Sequence, residues 1–261
     1  MPAADLLDAV TAITAEAGKL ALGRWRGDFA RWQKDDASPV SEVDLAVDAF
    51  LRAELSRLSP RAGWLSEETA DHPDRLACDR VWVVDPIDGT RDYIRGRDGW
   101  CVSVALVERG RVMLGVLDAT ARGEMWRAAV GEGAWLNGAR LQTGTRTELA
   151  GARIPADALP KADRLFACVA KPNSIALRIA MVAADRADLV ATLRWGHEWD
   201  IAAAALIATE AGARVTDALG VPLHFNKPDP QAFGVLATAP GLHRAAVEHL
   251  AERAGRLSYI G

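Results

Sequence analysis

The sequence predicts a mixed α/β protein, α+β in its N-terminal half and α/β in its C-terminal half. Two amphipathic helices are followed, over 100–142, by β-rich segments between glycine-containing turns, the pattern of an antiparallel meander. After about residue 163 short strands alternate with helices, as in an α/β arrangement. Between them, 144–163 is polar and carries Pro155 and Pro160, so it is the expected linker, dividing the chain into 1–148 and 149–261.

The elements follow in order. Leu6, Val10, Ile13, Ala17 and Leu20 recur at helical spacing and predict a helix over 4–22. Arg31 to Pro39, with Lys34, Asp35 and Asp36, reads as a polar turn. Ser41-Glu42-Val43-Asp44 fits a capping box opening a second helix with Leu45, Ala49, Leu51 and Leu55 on one face. By itself, Asp44 reads as a cap. Gly63 to Leu65 is a short strand delivering Ser66-Glu67-Glu68, and 71–80 is a polar loop. Strands are predicted at Val81–Val84, Trp100–Glu108, Val112–Asp118, Glu124–Ala129, Ala134–Leu136 and Arg140–Gln142. In the second half, Leu165–Val169, Leu189–Leu193, Arg214–Thr216, 222–225 and Phe233–Ala237 read as strands. Ser174–Ala184 and His243–Ala254 read as helices. Trp199–Ala211 is a helix apolar nearly all round, hence buried, with Gly212 as its stop.

The stretch that carries chemistry is Trp82 to Thr90. Pro86 lacks an N–H and restricts Asp85, so the strand is expected to end at Asp85. Gly89 allows close approach of a ligand, and a helix starting at Thr90 would turn free N–H groups toward an anion. Two carboxylates, Asp85 and Asp88, beside an anion call for cations between them. Hard divalent cations, Mg²⁺ first, suit oxygen donors. A plain strand end with a turn is one alternative, since Asp, Pro and Gly form turns. Aspartyl-phosphate phosphatases also carry Asp-Gly-Thr, but their two aspartates flank one residue; here two residues intervene.

Composition bounds the rest. The 261 residues are 50% hydrophobic and 25% charged, as in ordinary globular proteins, and the net charge of −4 argues against a nucleic-acid polymer as partner. No apolar run reaches the ~20 residues of a membrane span. Asp5 and Asp8 within an amphipathic pattern do not fit a signal peptide. Cys78, Cys101 and Cys168 share no ligand spacing and read as reduced thiols of a cytoplasmic protein.

Ser66-Glu67-Glu68, Trp82 to Thr90, and Trp199-Asp200-Ile201-Ala202-Ala203-Ala204 with Glu210-Ala211-Gly212 occur in one order. Together they resemble the Mg²⁺-dependent, lithium-sensitive inositol monophosphatase superfamily over roughly residues 5–250. The resemblance implies a layered αβαβα sandwich of the inositol monophosphatase/fructose-bisphosphatase type. It implies a phosphoric monoester hydrolase using two or three Mg²⁺ ions, a small phosphorylated metabolite as substrate, and a homodimer. It assigns metal ligation to Glu67, Asp85, the Ile87 carbonyl, Asp88 and Asp200. Glu67 also orients the attacking water, Thr90 holds it, and Asp44 bonds Thr90, so the resemblance replaces the cap reading of Asp44. The N–H groups of Gly89 and Thr90 match phosphate donors, and Lys34 corresponds loosely to a lysine near a third metal. Ser66 stands where the family pattern has glycine. For substrate, Arg194 in place of an acid near Leu193, together with Glu198-Trp199-Asp200 and Arg91-Asp92, looks like the bacterial 3'(2'),5'-bisphosphate nucleotidase branch. There Arg194 and Asp200 would contact substrate. Inositol 1-phosphate, histidinol phosphate and fructose 1,6-bisphosphate are the alternative substrates, and a non-catalytic binding protein of the same fold is the alternative class.

Overall fold

The structure is a computed structural model describing residues 3–34 and 39–258; Asp35 and Asp36 of the polar segment lie outside the described residues. Helix α1 (Ala3–Arg24) forms where the apolar repeat predicts it. The following segment is not merely a turn. Strands β1 (Arg31–Gln33) and β2 (Pro39–Ser41) pair antiparallel, with Trp32 opposite Val40, a favourable aromatic–β-branched pair. Helix α2 (Glu42–Leu58) starts with the predicted capping box: Ser41 Oγ accepts from Val43 N, and the Asp44 carboxylate accepts from Ser41 N at 2.9 Å.

The main sheet comprises β3 (Gly63–Ser66), β4 (Arg80–Asp88), β5 (Cys101–Glu108), β6 (Arg111–Ala119), β7 (Glu124–Ala129), β8 (Gly133–Leu136) and β9 (Ala139–Arg140), in that spatial order. Helix α3 (Thr90–Ile94) follows β4. Strands β3 and β4 run parallel, and every later neighbour is antiparallel, which is the predicted meander.

The expectation that β4 ends at Asp85 is corrected. Asp85 pairs with Ser103 and Asp88 with Cys101, so three steps on β4 match two on β5. The extra residue is a β-bulge, and Pro86 is tolerated inside it because no ladder bond is needed there. The bulge has a consequence for chemistry. Residues three apart on a regular strand face opposite ways, whereas one inserted residue returns Asp85 and Asp88 to the same face.

The second half contains β10 (Arg153–Pro155) and β11 (Ala167–Val169), a parallel pair, then α4 (Ile175–Ala183), β12 (Leu189–Ala191), β13 (Trp195–His197) and α5 (Glu198–Glu210). It closes with β14 (Arg214–Thr216), β15 (Gln231–Phe233), β16 (Leu236–Thr238) and α6 (His243–Ser258). A small sheet has the order β12-β16-β14, and β13 pairs with β15. The predicted strand at 222–225 does not form. Pro222 lacks a donor, and the backbone turns left-handed at Asn226, φ 60°.

Period-two alternation assigns the layers. Trp82 and Val84 pack with α1 and α2 on one face of the main sheet; Val81 and Val83 pack with α4 and α5 on the other. Val190 and Ala237 of the small sheet join the α4–α5 side, while Leu236 packs on Ala246 and Leu250 of α6. The layers are therefore α1/α2, main sheet, α4/α5, small sheet and α6, the expected αβαβα sandwich. The alanine run of α5 lets it lie directly on β6. A Cβ added at Gly115 would come within 2.7 Å of the Ala203 carbonyl oxygen, so this contact requires glycine.

Candidate active site

The C-terminal ends of β3 and β4, the start of α3, the N-terminus of α4 and the first turn of α5 converge on one cavity. Glu67, Asp85, Ile87, Asp88, Gly89, Thr90, Arg194 and Asp200 all line it. Carboxylate oxygens of Glu67, Asp85 and Asp200 lie within 4.8 Å of one another. Three segments distant in sequence thus meet because the parallel β3–β4 pair ends at one level and α5 starts beside it.

Asp85, Asp200 and Asp88 are each held by backbone N–H groups. Asp85 accepts from Ile87 N at 2.9 Å across the bulge. Asp200 accepts from His197 N at 3.2 Å, closing a capping box at α5. Asp88 accepts from Ser174 Oγ at 2.5 Å and Ala176 N at 2.7 Å through one oxygen, leaving the other a longer 3.4 Å contact with Ile175 N. The N-terminus of α4 therefore grips Asp88, a role the sequence did not suggest. Ser174 at the predicted start of that helix was the available signal. Gly89 has φ 97°, and an added Cβ would meet the Gly99 carbonyl oxygen at 2.7 Å, so only glycine serves there. Helix α3 starts at Thr90 as expected, Asp92 N bonding the Gly89 carbonyl at 2.8 Å.

Asp44 proves to serve two partners. One oxygen takes Ser41 N and Oγ; the other lies 3.4 Å from Thr90 Oγ. The Thr90 hydroxyl has a nearer acceptor in the Ile87 carbonyl, at 3.0 Å. Lys34 Nζ sits 3.0 Å from Glu67 and 2.8 Å from Glu68.

Burial, then repulsion from Glu67 and Asp88, pushes Asp85 well above the ordinary carboxylate range. Desolvation in the cavity wall and the charges of Asp88 and Glu67 do the same to Asp200. Burial raises Asp88 and Asp44 each to about 6, against opposing hydrogen bonds from Ser174 and Ser41. Burial also raises Glu68 to about 7, with Lys34 opposing. A divalent cation among these oxygens would reverse such shifts, and hard oxygen donors are what Mg²⁺-like ions take. The donor set therefore fits the metal.

Four cations also line the cavity, Arg91, Lys171, Arg178 and Arg194, with Lys171 paired to Asp157. Arg178 is oriented by bonds to the Pro172 carbonyl at 2.8 Å and the Asn173 carbonyl at 2.6 Å. It was missed in the sequence, where its only signal is one cation on the otherwise apolar run Ile175-Ala176-Leu177-Arg178-Ile179-Ala180.

Comparison with known proteins agrees with this layout. The profile of the inositol monophosphatase family matches residues 3–256. A fructose-1,6-bisphosphatase/inositol-1-monophosphatase of Thermotoga maritima is 32% identical over 230 residues, covering 83% of this chain and 86% of its own. The 3'(2'),5'-bisphosphate nucleotidase CysQ of Aggregatibacter actinomycetemcomitans is 31% identical over 240 residues, covering 85% and 88%. The solved Thermotoga maritima IMPase superposes with a TM-score of 0.84 at 28% identity, covering 97% of this chain and 99% of that one. Fold and kinship define a phosphoric monoester hydrolase. The chain belongs to the inositol monophosphatase family, which is metal-dependent, and the acidic trio offers a place for a metal. Among the described residues no helix is long and apolar enough to cross a membrane.

Proposed function

We propose that this chain hydrolyses a 3'(2'),5'-bisphosphate nucleotide with Mg²⁺. Residues 1–148 supply Glu67, Asp85, the Ile87 carbonyl and Asp88 as ligands, and 149–261 supplies Asp200. When bound there, Mg²⁺ would neutralise the phosphate and stabilise charge on the attacking and leaving oxygens. The chain's own groups do the rest. Glu67 orients the attacking water. The N–H groups of Gly89 and Thr90 donate to phosphate oxygens. The Thr90 hydroxyl holds the water while Asp44 accepts the Thr90 proton.

One observation carries the substrate reading: Arg91, Lys171, Arg178 and Arg194 line the same cavity as the carboxylates. A single phosphate is already matched by metal, so the further cations, Arg91, Arg178 and Arg194 beside the Asp157-paired Lys171, suit a second anionic group better than an uncharged polyol. Adenosine 3',5'-bisphosphate is expected to show at least a tenfold higher kcat/KM than inositol 1-phosphate at equal Mg²⁺. Arg194→Ala should lower the nucleotide value alone by about 1.5–3 kcal/mol, roughly ten- to hundredfold, as for a lost hydrogen bond to a charged group. Preference for inositol 1-phosphate would overturn the reading. A preferred nucleotide with no Arg194 effect would keep the substrate and remove this reason for it.

A further inference from the structure

Asp48 is a buried carboxylate that the reaction outlined above does not use. It lies one turn after Asp44 on α2, so the two share a face of the helix. Asp44 looks toward Thr90. Asp48 looks toward the end of β3, where one oxygen accepts from Ser66 Oγ and the other from Thr69 Oγ at 2.6 Å. Glu67 and Glu68 lie between those two gripped residues. Ser66 Oγ also accepts from Glu68 N at 3.3 Å, while Glu67 N donates to the Val84 carbonyl at 3.3 Å. The short acidic loop is thus pinned at both ends by one carboxylate and tied in the middle to β4.

We propose that Asp48 is a positioning residue for the metal site: its clasp on the Ser66 and Thr69 hydroxyls fixes the loop that presents Glu67. Ser66 replaces the glycine of the family pattern, so one arm of the clasp depends on a side chain that departs from that pattern. The proposal rests on the reading of Glu67 as a metal ligand. A ligand held in place needs less ordering when the ion arrives, so loosening its support raises the metal concentration required. A tether that only holds the fold together would lower the melting temperature and leave the metal requirement alone.

The experiment measures Mg²⁺ binding by calorimetry on the full chain without substrate, and in parallel the Mg²⁺ concentration for half-maximal phosphate release. Asp48→Ala is expected to raise both by about ten- to hundredfold, with kcat at saturating Mg²⁺ changed much less. The double variant Ser66→Ala/Thr69→Val should reproduce the shift, and adding Asp48→Ala to it should add little, because all three groups act as one unit. It also carries the test if Asp48→Ala does not fold. Asp48→Asn, which keeps one acceptor, should recover part of the affinity. Leu55→Ala, a core deletion on the same helix, should melt lower with an unchanged Mg²⁺ requirement. If the clasp variants behave like Leu55→Ala, the proposal is overturned and Asp48 is a structural tether. Glu67→Gln is run alongside. If it too binds Mg²⁺ normally, the ligand reading itself fails, and the clasp proposal with it.

Discussion

Asp85→Asn is expected to lose about a thousandfold in kcat/KM while its metal-free form melts no lower than the parent. The two effects have one cause. Asp85 is 1% exposed and stands among Glu67, Asp88, Asp200 and Asp44, so its charge is costly unless a cation shares the site. Replacing it with a neutral isostere removes repulsion and so does not weaken the metal-free fold. It also removes a charged ligand from the trio within 4.8 Å. Metal stabilisation of a phosphoryl transition state is worth several kcal/mol, and each 1.4 kcal/mol is tenfold in rate. Asp88→Asn should behave similarly in rate but differently in stability. Asp88 accepts through one oxygen from Ser174 and Ala176 and through the other from Ile175 N, so an amide there would turn one donor toward the α4 N–H groups and should lower the melting temperature. Turnover, thermal melts and a Mg²⁺ titration on the two variants check this. Near-parental turnover at saturating Mg²⁺ by either one would remove these residues from the metal site.

The second large effect concerns Asp44. Asp44→Asn should slow turnover by about a hundredfold or more, as expected when a proton acceptor is lost. Its stability cost should stay within the ~0.5–2 kcal/mol of a helix cap. Both contacts are visible: one oxygen holds Ser41 at the start of α2, the other faces Thr90. The 3.4 Å to Thr90 is long beside the 3.0 Å from Thr90 to the Ile87 carbonyl. An asparagine that keeps one acceptor oxygen preserves much of the cap, so stability and rate separate. A variant that melts lower but turns over normally would make Asp44 a cap and nothing more.

Much of this was legible in the chain itself. The stretch from Asp85 to Thr90, the acidic pair after Leu65 and the Asp200 helix start are local patterns, and each fell where its residues predicted. The capping box at Ser41 was equally local, whereas the Asp44–Thr90 contact came only from the family resemblance: nothing near Asp44 in sequence announces Thr90. The bulge at Pro86 escaped because proline alone argues for a strand end; only the register with β5 shows the strand continuing. The β1–β2 hairpin was hidden by its short, polar strands. Arg178 and Asp48 were invisible for a common reason. Each lies on a helix whose pattern is explained by packing, and its role appears only when another element is brought against it.

Phosphate release from adenosine 3',5'-bisphosphate, followed on metal-stripped protein in chelator and then with Mg²⁺ added back, tests the central claim that the carboxylate cluster acts through a bound divalent ion. The expected result is no release above background in chelator and recovery on titrating Mg²⁺, with the recovered rate abolished in Asp85→Asn. Release that proceeds undiminished in chelator would contradict it.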